Sequence, residues 1–174
     1  MFLLVAIFSY SQQSGWSKYS TFPEGGTVID ITGDNSGKIY VLNQFSQIFY
    51  STNSGADWTV IPETFSYWNV IDIEVNKATG MLYVGTTTEG IWYTSDLGVT
   101  WNNEFFYTTG QGFHACIAQI GVKHGSGIVV ASEPDFGAAN TYVSTNNGGS
   151  WTQFPGNATF NSAQDLLFLQ NGTL

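Results

Sequence analysis

The chain has 174 residues with 13 acidic side chains and four lysines, it contains no arginine, and its net charge is −9 at pH 7. This charge disfavours nucleic acid and anionic membrane surfaces as partners, because both repel an acidic protein. The single cysteine, Cys116, excludes an intrachain disulfide, and its apolar neighbours predict a buried small side chain rather than a nucleophile. Few charged residues, many aromatic rings and 20 glycines are typical of an extracellular all-β protein.

The N-terminus begins with an apolar run over residues 1–8, which is too short to span a bilayer. The run is typical of the apolar part of a signal peptide, with small residues near Ser11 or Gln12 for cleavage, but no positive charge precedes Lys18. A truncated signal peptide over residues 1–12 and a first β-strand are the two interpretations. We favour the signal peptide and expect a secreted or cell-surface protein of a bacterium.

One eight-residue pattern, Ser/Thr-x-Asx-x-Gly-x-x-Trp, occurs three times. Its tryptophans are 43 and then 50 residues apart, and Trp16 lies 42 residues before the first of them. A tight turn between two strands explains the pattern. The Asx side chain accepts backbone hydrogen bonds within the turn, the glycine adopts a positive φ, and the tryptophan anchors the returning strand. The predicted structural residues are Ser51, Asn53, Gly55, Trp58, Thr94, Asp96, Gly98, Trp101, Ser144, Asn146, Gly148 and Trp151.

The rest of each repeat consists of short apolar segments bounded by turn residues, which is the signature of strands. Four short strands in a repeat of about 40–45 residues indicate a blade of a β-propeller. A propeller domain is therefore predicted over residues 13–174, with an outer strand at 16–22 and the start of a further blade at 163–174. The predicted full blades span residues 27–61, 69–106 and 115–154.

Three blades and two part-blades do not obviously close a ring, because propellers close with about 4–8 blades. We therefore expect the chain to be a piece of a longer protein that supplies the remaining blades. Such a piece exposes unpaired strand edges. A monomeric chain of 174 residues that melts cooperatively would contradict this expectation.

The three turn motifs resemble the Asp-box, or bacterial neuraminidase, repeat, and the chain from about residue 16 to residue 174 resembles Asp-box β-propellers. That superfamily includes sialidases, xyloglucan-degrading hydrolases, sortilin-type receptors and photosystem II assembly factors. Two of the three motifs have Asn where the family usually has Asp, and Asn accepts the same turn hydrogen bonds. The resemblance implies an all-β partial propeller of four-stranded antiparallel blades. It implies little about activity, because one fold carries many functions.

The resemblance to sialidases does not extend to their substrate chemistry. Sialidases of this family bind the substrate carboxylate with three arginines, and this chain has none. A planar guanidinium fork pairs with a carboxylate in a way that lysine does not reproduce. Metal chemistry is not indicated either, because His114 and His124 lack the spacing of a metal site. We therefore predict no metal and no cofactor.

Acidic residues recur at equivalent places on the predicted innermost strands. Asp30, Asp72 and Asp165 lie 14 residues after Trp16, Trp58 and Trp151, and inner strands line the central channel of a propeller. Converging carboxylates could bind a cation or hydrolyse a glycosidic bond. The alternative, which the repetition favours, is that each carboxylate accepts backbone hydrogen bonds from a neighbouring blade. The weak catalytic candidates are Asp30, Asp72, Glu133 and Asp135.

The loops predicted on the rim opposite the turn motifs are unusually aromatic. They are the connections between blades and between second and third strands, and they vary most between repeats, which is where function tends to lie. Exposed rings beside carboxylates suit a sugar face or a protein partner, although about half should pack between blades. The candidate ligand-binding residues are Phe65, Tyr67, Trp68, Phe105, Phe106, Tyr107, Glu133, Asp135 and Phe136.

Two functions from different classes follow. The first is a secreted, non-catalytic propeller module that binds a polysaccharide, another glycan or a protein through this aromatic rim. The second is a glycoside hydrolase of the xyloglucanase type that uses two acidic residues about 5–9 Å apart. We favour binding, with no nucleic acid partner and no membrane span.

Overall fold

The computed structural model describes residues 27–62, 69–104, 116–117, 119–133 and 141–153. These residues form twelve strands in three four-stranded antiparallel sheets, and they contain no helix. Within each sheet the strands follow one another in chain order, so every hairpin joins neighbours. The expected all-β fold of four-stranded antiparallel blades is thus confirmed.

Each sheet corresponds to one sequence repeat, and the sheets are called blades 1, 2 and 3. Blade 1 contains β1 (Val28–Gly33), β2 (Ile39–Asn43), β3 (Ile48–Ser51) and β4 (Thr59–Val60). Blade 2 contains β5 (Val70–Val75), β6 (Leu82–Thr86), β7 (Ile91–Thr94) and β8 (Asn102–Glu104). Blade 3 contains β9 (Gln119–Val122), β10 (Val129–Ser132), β11 (Thr141–Ser144) and β12 (Thr152–Gln153). The part-blades predicted at 16–22 and 163–174 lie outside the described residues.

The hydrophobic cores lie between blades rather than within them. One core joins blade 1 to blade 2 and includes Tyr40, Leu42, Ile73 and Val84. The other joins blade 2 to blade 3 through the opposite face of blade 2, with Tyr83 among its members. Alternate residues of the middle strands therefore serve two different interfaces, as the two-residue period of a strand requires. Burial of both faces of blade 2 makes it dependent on blades 1 and 3.

The turn motifs have the expected geometry in all three blades. In blade 1, the Ser51 hydroxyl accepts a hydrogen bond from Gly55 N–H at 2.9 Å, and Asn53 Oδ1 accepts one from Asp57 N–H at 2.9 Å. The equivalent bonds recur around Asp96 and Asn146. Both central residues of each turn have positive φ: Ser54 and Gly55, Leu97 and Gly98, Asn147 and Gly148. Two successive positive φ values are typical of the type I′ turns that suit twisted hairpins.

The two ends of the blades are called the lower rim and the upper rim. The lower rim carries the turns between first and second strands (34–38, 76–81 and 123–128) and the Asp-box turns between third and fourth strands. The upper rim carries the loops between second and third strands and the chain entering each inner strand. In the turn at 34–38, Asp34 Oδ1 accepts the N–H groups of Ser36 and Lys38.

Candidate functional site

Buried polar side chains tie the upper rim together in blades 1 and 2. Asn43, which is 1% exposed, accepts the N–H groups of Phe45 and Gln47 and so shapes the loop between β2 and β3. In the same loop, the Ser46 hydroxyl accepts Val70 N–H at 3.1 Å and thereby joins the two blades. Because these groups are buried and paired, the rim has a fixed shape.

A buried asparagine has a similar role within blade 2 on this rim. The side-chain oxygen of Asn69, directly before β5, accepts both the N–H and the hydroxyl of Thr87. Thr86 O accepts Ile117 N–H at 2.7 Å, which fixes the chain as it enters blade 3. The hydroxyl of Thr86 accepts Glu89 N–H, so the loop of blade 2 is also closed onto its own strand.

The aromatic candidates belong to the segments between these fixed points. Phe65, Tyr67 and Trp68 come between Pro62 and Asn69, and they lie outside the described residues. The same applies to Phe105, Phe106, Tyr107, Asp135 and Phe136. Their role in ligand binding therefore stays a prediction.

Glu133 is the one candidate ligand-binding residue that the structure describes. It follows β10 directly and is 6% exposed, so it is a buried carboxyl at the base of its loop. Burial and the nearby Glu133 carboxylate raise the pKa of Cys116 to about 11 and that of Tyr142 to about 12. Cys116 is itself buried, which agrees with its predicted role as a packing residue and makes thiolate chemistry unfavourable.

The inner-strand aspartates connect consecutive blades. Asp30 Oδ2 accepts Ile73 N–H at 2.8 Å, and Asp72 Oδ2 accepts Ile120 N–H at 2.6 Å. In both blades an irregularity in the ladder, between Val28 and Asp30 and between Val70 and Asp72, precedes the aspartate. Such a bulge re-aims the following side chain. These bonds are the ones expected of a structural carboxylate.

Asp30 and Asp72 also lie near each other. Burial, followed by the negative charge of Asp30, raises the pKa of Asp72 to about 8, and the hydrogen bond from Ile120 opposes this shift. A carboxyl group that is protonated near neutral pH is chemically able to act as a general acid. Both carboxyl groups are nevertheless engaged by backbone N–H groups of the next blade.

A second polar row spans the three inner strands nearer the lower rim. Thr32 donates its hydroxyl hydrogen to Glu74 Oε2 at 3.0 Å, and Glu74 Oε1 lies 3.9 Å from His124 Nε2. His124 Nδ1 accepts Lys77 N–H at 3.3 Å, and burial and the charge of Lys77 lower the pKa of His124. Thr32 and Glu74 occupy equivalent positions, each two residues after the inner-strand aspartate, whereas His124 lies in the turn after β9. The sequence did not predict this row, because the residue types differ and His124 is displaced from the shared position. His114 lies outside the described residues.

Neither a metal site nor a membrane-spanning helix is found in the part of the chain that the structure describes. No group of three or more His, Cys, Asp or Glu residues there is arranged to hold an ion. No described helix is long and apolar enough to cross a bilayer.

Solved structures with the same arrangement identify the architecture. The chain superposes on a glycoside hydrolase family 74 (GH74) xyloglucanase from Xanthomonas campestris with a TM-score of 0.57 and 17% identity, over 74% of this chain and 23% of the other. It superposes on YCF48 bound to D1 peptide with a TM-score of 0.56 and 13% identity, over 76% and 42% of the two chains. The fold is that of part of a β-propeller. The predicted resemblance to β-propellers is thus borne out at the level of the fold.

A third likeness is to a GH74 enzyme of Niastella koreensis, with a TM-score of 0.55 and 21% identity over 72% of this chain and 22% of the enzyme. The chain therefore spans between about a fifth and two fifths of the length of these propellers. Neither a protein-family model nor a curated protein matches the sequence. At these identities the likeness establishes the fold, and the neighbours include both hydrolases and a peptide-bound protein.

Proposed function

We propose that this chain is a non-catalytic propeller module that binds a carbohydrate or a protein through the aromatic loops of its upper rim. The observation that carries the proposal is the set of buried polar ties at that rim, through Asn43, Ser46 and Asn69. A platform fixed in this way holds the loops that start from it at a set spacing, which lowers the entropic cost of binding. The loops that differ most between the repeats stand on this platform.

The inner-strand carboxylates also support a binding role. Asp30 and Asp72 have a structural task, since each accepts a backbone N–H from the next blade. Equal use in successive blades is expected of residues that hold a repeat together. Secretion or display at the surface of a bacterium is part of the same proposal and rests on the apolar run over residues 1–8.

Hydrolysis of a polysaccharide is the second candidate, because the raised pKa of Asp72 beside Asp30 is a property that a general acid needs. The fold of the two GH74 neighbours is compatible with it. This candidate requires that substrate reach a carboxyl group that is now bonded to Ile120 N–H.

Binding and hydrolysis are separated by one set of measurements on the purified chain. Xyloglucan oligosaccharides and a panel of unrelated peptides are titrated by calorimetry, and released reducing ends are measured in parallel. We expect binding without product release, and replacement of Trp68 with Ala should raise the Kd at least about tenfold if the ring is a central contact. Val99, which is 79% exposed on the lower rim, provides the control variant Val99→Ala, with an unchanged Kd.

Two outcomes would overturn the proposal. Release of reducing ends that Asp72→Asn abolishes would establish the hydrolase instead. Equal loss of binding in Trp68→Ala and Val99→Ala would show that the upper rim is not the binding surface.

A further inference from the structure

A groove of about 430 Å³ opens on the lower rim between blades 1 and 2. Three turns form its walls: the β1–β2 turn, the β5–β6 turn and the Asp-box turn of blade 2. Asn35 N–H donates a hydrogen bond to Lys77 O at 3.1 Å, which holds the first two turns at a fixed separation. The charged and hydroxyl-bearing side chains that line the groove are Asp34, Ser36, Lys38, Lys77, Thr79 and Ser95.

The groove concentrates positive charge in a protein that has very little. Two of the four lysines of the chain, Lys38 and Lys77, line it, although the net charge of the chain is −9. Neither lysine forms an ion pair with any residue that the structure describes. The ammonium group of Lys38 lies 5.9 Å from the centre of the Tyr40 ring. Two unpaired ammonium groups on separate turns favour a ligand with more than one anionic group.

Asp34, the one acidic residue that lines the groove, accepts hydrogen bonds within its own turn. Asp34 Oδ1 accepts hydrogen bonds from Ser36 N–H, the Ser36 hydroxyl and Lys38 N–H at 2.6–3.0 Å. Burial acts to raise the pKa of Asp34, but these bonds and the nearby charge of Lys38 hold it below its usual value. Asp34 is therefore ionised and partly offsets the charge of Lys38, but two lysines against one aspartate leave the groove with a net positive charge.

The tyrosine whose ring lies near Lys38 is buried. The side chain of Tyr40 is fully buried, and its hydroxyl has no hydrogen-bond partner among the described residues. Burial and the nearby charge of Asp34 raise the pKa of Tyr40, so this hydroxyl stays protonated. The matching hydroxyl in blade 2, that of Tyr83, bonds Met81 Sδ. Tyr40 does not line the groove and its hydroxyl is buried, so its ring supports Lys38 from below and its hydroxyl is no direct partner for a ligand.

We propose that this groove binds a short acidic peptide segment, with carboxylates paired to Lys38 and Lys77. The hydroxyls of Ser36, Thr79 and Ser95 supply neutral partners for the amide groups between those carboxylates. The groove is polar and open, which suits an extended chain better than an apolar ring. It lies on the rim opposite the aromatic loops. The test of this site is therefore independent of the test of the proposed upper-rim function.

The test is a titration of the ¹⁵N-labelled chain with a capped tetraglutamate peptide, followed by backbone amide shifts. Shift changes should be confined to residues 34–38, 77–80 and 95–97, with a Kd in the millimolar range because exposed ion pairs are weak. The double variant K38Q/K77Q should raise the Kd at least about fivefold. The conservative variant K77R should retain binding, because it keeps the charge. Added salt should weaken binding.

The control is K123Q, which removes one positive charge, as each of the single variants K38Q and K77Q does, from the lower rim of blade 3, outside the groove. It should leave the Kd unchanged within about twofold. Equal weakening by K123Q and by the double variant would reduce the effect to net charge and overturn the proposal. Shift changes spread over the chain, or equal binding of capped tetraglutamine, would overturn it as well.

Discussion

Single residues show how closely neighbouring blades approach each other. Gly98 in the Asp box of blade 2 has a φ of +82°, and a Cβ there would lie 2.5 Å from Ile61 Cγ2 and 2.6 Å from Pro62 O. Gly37 has nearly the same φ, +84°, but a Cβ there would meet nothing within 4 Å. The two glycines therefore separate the cost of backbone strain from the cost of steric overlap.

Replacing Gly98 with Ala should lower the free energy of unfolding by about 3 kcal/mol, because strain and overlap both act. Replacing Gly37 with Ala should lower it by about 1 kcal/mol through strain alone. Urea denaturation of the two variants and the parent chain measures both values. Equal losses would mean that blade 2 does not pack against Pro62 as described.

In every Asp box, the side chain of the Asx residue is hydrogen-bonded to the side chain four positions later. Asn53 Nδ2 donates to Asp57 Oδ2 at 2.8 Å, whereas Asp96 Oδ2 accepts from the Thr100 hydroxyl at 2.6 Å. Asn146 Nδ2 donates to Ser150 Oγ at 3.0 Å. The residue four positions later thus matches the donor or acceptor that the Asx side chain offers. The sequence contained this signal, but reading it required the turn geometry.

At the scale of one element, this matching can be tested in the Asp-box hairpin of blade 1. Asn53→Asp should destabilise the chain by about 1 kcal/mol. The substitution removes the hydrogen bond to Asp57 and places a second carboxylate next to the Asp57 carboxylate. The double variant Asn53→Asp/Asp57→Thr recreates the pair seen in blade 2 and should recover most of the loss. A double-mutant cycle in urea gives the coupling energy. Additive effects would show that the two side chains do not interact.

Hairpins and strands were the part of the fold that sequence predicted best. The spacing of apolar runs and the three tryptophans predicted where each four-stranded sheet would lie, because both signals are local. The bulges before Asp30 and Asp72 were not predictable, since Val-Ile-Asp-Ile reads as regular strand in both repeats. Nor was the positive φ of Leu97, a residue type that rarely adopts it.

At the scale of the whole molecule, blades are joined by buried carboxyl groups as well as by apolar cores. The native pKa of Asp72, about 8, exceeds the ordinary aspartate value of about 3.9. The native chain thus binds more protons than the unfolded chain between these values. The contribution of Asp72 to stability is full below about pH 4 and is lost as pH rises through about 8.

Asp72→Asn should therefore flatten the fall in the free energy of unfolding between pH 5 and about pH 8.5. Asn can still accept the Ile120 N–H, while it cannot ionise beside Asp30 and Glu74. Urea denaturation at three pH values measures the change. The control is Asp57→Asn, which alters an exposed carboxylate on the lower rim. Parallel pH profiles for both variants and the parent would contradict a protonated Asp72.

The sequence by itself determined the fold class, the repeat and the turn motif, because strand periodicity and turn chemistry act between residues that are close in the chain. It also placed Asp30 and Asp72 at equivalent positions. Only the tertiary structure decided what those carboxylates bond, that Glu133 is buried, and that Lys38 and Lys77 share one groove. Each of these depends on how one blade sits against the next, and contacts between residues some 40 positions apart leave no local pattern in the chain.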